Sequence, residues 1–275
     1  MKKILFIIIG ILGTVSFLPI ALAFTPKFQY DPLGTLTSGL VSYYNMQGNS
    51  NDYFGSNNGT DTSVTYGTAY GKVNEGGNYN GSTSYSSMGN VMAFEYTQPF
   101  SIAAWVYNNS SGASNIISKQ QNTSPYAGYG IGTTSGGTLQ FFLYNGSGFV
   151  DNFPSSYIGT WTFIVATYDG SNTDAGITLY VNGASVAKSN QLNVPFTSTI
   201  VSTNPFQLSG RGGSNNLYNG YLDEIGVWNR VLTSGEISEL YHSGLGQTMC
   251  NGTGGPLCFH KVILISFNFK PEPIV

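Results

Sequence analysis

Ile177-Thr178-Leu179-Tyr180-Val181-Asn182-Gly183-Ala184-Ser185-Val186-Ala187 is the stretch that decides the fold. Two short runs of strand-forming residues flank Asn182-Gly183, and Asn-Gly supplies the two positive φ angles of a type I′ turn, which joins antiparallel strands. The reading is a β-hairpin. Similar segments recur on both sides of it, separated by Gly/Asn/Ser clusters: Gly39 to Met46, Phe100 to Tyr107, Leu139 to Tyr144, Trp161 to Tyr168, Phe206 to Ser209 and Tyr221 to Trp228. That spacing is expected of an all-β sandwich. One helix is signalled near the C-terminus. Thr233-Ser234-Gly235-Glu236 has the form of a capping box, Ile237, Leu240 and Tyr241 line one face after it, and Gly244 is the expected stop.

Composition agrees with this reading and narrows the partners. Charged residues make up 8% of the chain and the net charge is −3, so there is no basic field to release counterions from a polyanion. Nucleic acid and heparin-like ligands are therefore not expected. The surface must consist largely of neutral hydrogen-bonding groups.

The N-terminus sets the expected compartment. Lys2 and Lys3 precede an apolar run from Ile4 to Leu18, followed by Pro19 and Ala21-Leu22-Ala23, the order of a secretory signal cleaved after Ala23. The rival is an uncleaved anchor, since Ile4 to Phe24 is long enough to span a bilayer. With the signal at 1–23 removed, a lead-in occupies 24–38, one large domain 39–247 and a tail 248–275. No membrane span is expected after cleavage. Cys250 and Cys258 flank a flexible Asn-Gly-Thr-Gly-Gly-Pro-Leu loop, and a disulfide is expected in an exported protein. Zinc is the alternative, with His260 as a further ligand. Val262 to Phe269 reads as an added strand, too short to cross a membrane.

Across the domain, motifs occur in an order that resembles a known family. Gly39-Leu40-Val41-Ser42-Tyr43-Tyr44 is followed by Asn51-Asp52-Tyr53-Phe54-Gly55-Ser56-Asn57-Asn58-Gly59-Thr60 and by Phe100-Ser101-Ile102-Ala103-Ala104-Trp105-Val106. Next come Ile117-Ser118-Lys119, Trp161-Thr162-Phe163, Tyr168-Asp169-Gly170, Leu179 to Gly183 and Gly210-Arg211, and the set closes on Asn219 to Arg230 running into Leu232-Thr233 and Glu236. This ordered set resembles the laminin-G-like jelly-roll domains of the concanavalin A-like lectin/glucanase superfamily. The resemblance implies two packed antiparallel sheets with jelly-roll connections.

The resemblance also implies chemistry to be tested. Glucanase relatives carry Glu-x-Asp-x-x-Glu on one strand, and a retaining glycosidase needs two carboxyl groups about 5 Å apart. No Glu in this chain has Asp two residues later. The adjacent pair Asp223-Glu224 is expected to point to opposite faces of a strand. No nucleophile elbow, zinc-protease helix or phosphate loop is present, and His242 and His260 read as surface or capping residues. The expectation is therefore a domain that is not an enzyme.

Relatives often bind a structural Ca²⁺ through an Asp at the end of the opening strand and the Asp of the closing strand. Asp223 matches the second position, Gln47 stands at the first, and Asp52 is a further candidate that reads equally as a turn residue.

Glycan recognition needs aromatic faces for sugar C–H surfaces with amide, carboxylate or guanidinium groups beside them. Two loop clusters offer that mixture. Tyr144 to Phe153 contributes Phe149, Asp151 and Asn152, and Arg211 to Tyr218 contributes Arg211, Asn216 and Tyr218. Tyr126 and Tyr129, in a glycine-rich loop, could join either. Trp105, Trp161 and Trp228 are assigned to packing. The leading expectation is a secreted or cell-surface carbohydrate-binding module, non-catalytic and adhesive. The alternative is a structural domain or one that binds an extracellular protein, and a glycoside hydrolase ranks third.

Overall fold

The computed structural model of the protein describes residues 35–249. The expected signal segment, the lead-in up to residue 34, the Cys250–Cys258 pair, His260 and the apolar run Val262 to Phe269 lie outside the described residues. In chain order the first strands are β1 (Leu40–Tyr44), β2 (Thr60–Thr62), β3 (Thr65–Gly67), β4 (Gly76–Asn80), β5 (Tyr85–Ser87), β6 (Phe100–Asn108), β7 (Ser114–Gln120) and β8 (Gly128–Thr133). There follow β9 (Thr138–Tyr144), β10 (Gly148–Ser156), β11 (Trp161–Tyr168), β12 (Ile177–Val181), β13 (Ala184–Val186), β14 (Ser189–Val194), β15 (Phe206–Leu208), β16 (Asn219–Trp228) and helix α1 (Ser234–Tyr241). The strands make two antiparallel sheets. The first runs β13-β12-β11-β6-β16-β4-β3, with β1 also paired to β16, and the second runs β14-β10-β9-β8-β7-β15-β5-β2. This is the sandwich that the sequence predicts.

The alternation of side chains along each strand explains the layering. In β6, Phe100, Ile102, Ala104 and Val106 enter the core between the sheets, while Ala103 and Trp105 join a second apolar cluster. In β11, Ile164, Ala166 and Tyr168 face the inter-sheet core, and Phe163 and Val165 face the second cluster. These strands read as nearly continuous apolar runs because both of their faces are buried. The second cluster is completed by Leu36, Trp228, Leu232, Met249 and the Ile237 and Leu240 face of α1. The helix therefore covers the outer face of the first sheet. Packing reaches past both expected domain limits, since Leu36 and Met249 are buried.

Local rules hold at several junctions. Asn182 and Gly183 have φ of 50° and 82°, as the type I′ turn requires, and Val181 pairs with Ala184 across it. The Thr233–Glu236 capping box is formed in both directions. The helix ends earlier than expected, because His242 adopts the left-handed conformation and caps it, with Gly244 two residues further on. Strand β1 also stops before Met46, whose φ of 55° turns the chain out of the sheet.

A polar clamp fixes the helix to the sandwich. Arg230 forks onto Glu236, with Nη1 to Oε2 at 2.9 Å and Nη2 to Oε1 at 2.7 Å, and also donates to the carbonyls of Ser38 and Thr35. Thr35 Oγ1 and Thr233 N donate to the same carboxylate. Burial pushes the Glu236 pKa up, but Arg230, Thr35 and Thr233 together more than offset this and hold it at about 2. Its pKa therefore lies below the ordinary 4.5, so the stabilisation is complete above about pH 4.5 and lost as pH falls towards 2. Glu236→Gln should cost about 3 kcal/mol at neutral pH. Denaturant titrations of both proteins should show that gap closing across this window, and a gap that persists at pH 2 would contradict the clamp.

Candidate functional site

The second sheet presents a groove of about 300 Å³ on its outer face, at the lower end of volumes typical of small-ligand sites. Alternation positions its floor. Leu139, Phe141 and Leu143 of β9 point into the core, so Gln140, Phe142 and Tyr144 between them line the groove. The hollow itself comes from β8, where Tyr129 and Ile131 are core residues and the intervening outward positions are Gly130 and Gly132. Gly130 pairs with Phe142, and Gly132 with Gln140. A Cβ at Gly130 would lie 2.8 Å from the Phe142 ring, and one at Gly132 would lie 2.5 Å from the Ser114 carbonyl. Glycine there gives the floor its depth.

One end of the groove carries a connected set of polar groups. The Arg211 guanidinium lies over the Tyr126 ring at 4.7 Å, and its Nη1 donates to Gln120 Oε1 at 3.1 Å. Asn115 Nδ2 donates to the same oxygen, Gln120 Nε2 donates to the Tyr126 carbonyl, and Asn216 Nδ2 donates to Asn115 Oδ1. Across the floor, Gln140 Nε2 donates to Asn152 Oδ1 at 2.8 Å. The described lining contains amides, hydroxyls, two aromatic rings and one guanidinium, and no carboxylate. Such a surface can hydrogen-bond neutral hydroxyls and cover C–H faces, but offers no acid–base pair.

The structure divides the ligand-contact candidates. Arg211 and Asn216 line the groove, Tyr126 stacks on Arg211, and Asn152 joins through Gln140. Phe149 and Tyr218 do not belong there: both are fully buried in the inter-sheet core. Asp151 is also fully buried, where it pairs with Lys188 at 3.0 Å and accepts from Asn190. Tyr129 lies on a strand, not in a loop, and its buried hydroxyl donates to the Met92 carbonyl. Gln140 and Phe142 lie outside the loop clusters that the sequence offers as ligand contacts. The alternation Gly128-x-Gly130-x-Gly132 was the available signal, since glycine at every second strand position empties one face.

Each of the three metal candidates is engaged by hydrogen bonds within the protein. Gln47 Nε2 donates to the carbonyls of Asn45, Val73 and Glu75 at 2.8, 3.0 and 3.0 Å, and its Oε1 accepts from Glu75 N. An N–H donor aimed at three carbonyl oxygens occupies the ligands that a cation would need. Asp223 accepts from Lys72 N, Val73 N and Glu224 N. Burial pushes its pKa up to about 8, against the lowering effect of those three donors. Asp52 is a turn residue, its carboxylate accepting from the backbone of Tyr43, Phe54, Gly55 and Asn57. Among the described residues no three acidic, His or Cys side chains gather as a metal group.

Asp223 and Glu224 also depart from simple alternation. A bulge lies between Asp223 and Gly226, and Glu224 has a φ of 51°. Asp223 pairs with Trp105, and Glu224 accepts from the Tyr43 hydroxyl. Trp105 and Tyr43 both belong to the helix-side cluster, so the two carboxylates share that side instead of opposing faces. Burial raises the Glu224 pKa well above the ordinary value.

A second aromatic feature lies on the first sheet beyond the helix. Tyr70, Tyr221, Tyr107 and Trp161 form a half-buried strip with neighbouring centroids 5.1, 5.2 and 5.7 Å apart. Trp161 therefore does more than pack the interior. Trp105 and Trp228 are buried, as expected of packing residues.

Comparison with known proteins follows the architecture. A family model described as the concanavalin A-like lectin/glucanases superfamily matches residues 80–238. No curated protein matches. Among solved structures, the binding domain of Paraclostridial Mosquitocidal Protein 1 is similar at 16% identity and a TM-score of 0.55, covering 75% of this chain and 52% of that one. Domain 4 of AbnA, a GH43 extracellular arabinanase from Geobacillus stearothermophilus in complex with arabinotriose, has 17% identity and a TM-score of 0.52, covering 76% and 98%. The botulinum neurotoxin serotype G binding domain has 18% identity and a TM-score of 0.53, covering 74% and 50%. The chain thus spans about half of the two toxin domains and nearly all of the arabinanase domain. At these identities the likeness is one of fold.

The Gln47 arrangement generates a direct test. Melting temperatures in millimolar calcium and in chelator should coincide, because only a ligand specific to the folded state raises the transition. Gln47→Ala should lower stability by about 2 kcal/mol in both conditions. A calcium-dependent rise in the wild-type transition would contradict the amide's role.

Proposed function

We propose, from the premise that this chain belongs to the concanavalin A-like lectin/glucanases superfamily, that it is a carbohydrate-binding module acting through the groove on its second sheet. One observation carries the reading. The half-buried ring of Tyr144, the ring of Phe142, the amides of Asn115, Gln120, Gln140 and Asn216 and the Arg211 guanidinium line one hollow floored by glycine, with Tyr126 stacked on Arg211 at its end. Rings cover the C–H face of a sugar while amides exchange hydrogen bonds with its hydroxyls. Domain 4 of AbnA, similar in fold, is in complex with arabinotriose, which supports a carbohydrate as the class of ligand.

The module binds without cutting. The missing Glu-x-Asp-x-x-Glu pattern and the lack of a carboxylate among the described groove residues support that part. It is displayed outside the cell, in a secreted or surface-attached and adhesive role. The order of the first 23 residues supports export, and among the described residues no helix is long and apolar enough to cross a membrane. A protein-binding role is the second reading, favoured by the half-buried strip of Tyr70, Tyr107, Trp161 and Tyr221, since aromatic residues are enriched at interfaces.

A glycan array probed with the whole chain should give a defined set of sugar ligands. Tyr126→Ala and Gln140→Ala should each weaken the best ligand about tenfold, as measured by calorimetry, whereas Tyr221→Ala on the opposite sheet should leave its affinity unchanged. Incubation with a polysaccharide panel should release no reducing sugar. No array signal, together with loss of a protein partner in Tyr221→Ala, would favour the second reading.

A further inference from the structure

We infer that the groove takes an acidic sugar, with Arg211 binding its carboxylate; this rests on the carbohydrate-binding reading and names the class of ligand. The chain has two arginines, and they are treated differently. Arg230 is neutralised by the forked pair with Glu236. Arg211 has no such partner: the ion pairs among the described residues are those of Lys188 with Asp151 and Asp174 and of Arg230 with Glu236.

The donors of Arg211 are also incompletely used. Nη1 donates to the neutral Gln120 oxygen, while Nε is buried with no hydrogen-bond partner. A guanidinium that is partly desolvated and lacks a counter-charge is costly unless an anion meets its outer Nη donors. The remaining described residues of the groove cannot supply that anion, because none is acidic. The ligand can.

The geometry selects a carboxylate borne on a sugar over a more highly charged ligand. Stacking on Tyr126 holds the guanidinium plane, and a fixed planar fork suits a carboxylate, which it can bind through two parallel N–H···O bonds. A single cation in an otherwise neutral lining, within a chain of net charge −3, suits one anionic group per site and not a densely charged polymer. Asn216, exposed at the groove, is placed to meet a hydroxyl of the same sugar, while Asn115 and Gln120 are buried and hold Arg211 in position. Uronic acids and the nine-carbon sialic acids share this carboxylate chemistry.

The test uses the full chain and matched probes that differ in the acid group: trigalacturonate against its methyl ester, and sialyllactose against its methyl ester. In at least one pair the acid should bind tenfold or more tightly than its neutral partner, with the preference weakening as salt rises. The pair that shows the effect identifies the source of the carboxylate. Arg211→Gln should bring the ratio of acid to neutral affinity close to one. Arg211→Lys keeps the charge and loses the fork, and should give an intermediate ratio, which keeps the test available if the glutamine variant does not fold. Equal wild-type affinity for acid and neutral members would overturn the inference and leave the groove as a neutral-sugar site. An acid preference that survives both substitutions would overturn the role of Arg211. Binding of no sugar, acid or neutral, would overturn the carbohydrate reading itself.

Discussion

The central strands of the first sheet must bury both of their faces, and the rest of the molecule is arranged around that requirement. β6 and β11 send Phe100, Ile102, Ile164 and Tyr168 inward, and Trp105, Phe163 and Val165 outward. The outward set is too large and apolar to meet water. Helix α1, Leu36 and Met249 cover it, and the Arg230–Glu236 clamp ties the helix to both the start of the domain and the end of β16. The second sheet has no such obligation. Its outward residues are glycines, amides, hydroxyls and a few rings, and that asymmetry leaves one face of the sandwich available for binding.

The groove depends on the same alternation. In β8 the core needs Tyr129 and Ile131, so whatever occupies the positions between them shapes the outer surface. Glycine there, opposite Gln140 and Phe142 of β9, produces a hollow without disturbing the ladder. Arg211 and Tyr126 close one end from loops. The electrostatics of the site follow from composition: in a chain so poor in charge, one unpaired guanidinium dominates a neutral lining.

Much of the fold was legible in the sequence because its signals are local. Asn182-Gly183 specified a turn, Thr233 to Glu236 specified a helix start, and the alternation in Trp161 to Tyr168 specified a strand. The site was less legible, because burial is decided by the partner sheet. Phe149 and Gln140 both sit in strands beside turns, and nothing local says that the first enters the core and the second lines the groove. Arg211, Asn216 and Tyr126 were recognisable as loop polar or aromatic residues, whereas Tyr218, two positions after Asn216, is consumed by the core. The bulge at Glu224 was equally hidden, since a left-handed residue in a long strand has no strong signature when it is not glycine. At Gln47 the carbonyls its amide gathers come from the segment around Val73 and Glu75, distant in sequence and not legible from the residue itself.

The central claim is that sugars bind the outer face of the second sheet. The most direct measurement is a backbone amide NMR titration of the whole chain with the best array ligand. Shifts should concentrate at Gly130, Gly132, Gln140, Phe142 and Arg211 while the strip at Tyr107 and Tyr221 stays silent. Shifts confined to that strip, or to loops remote from β8 and β9, would contradict it.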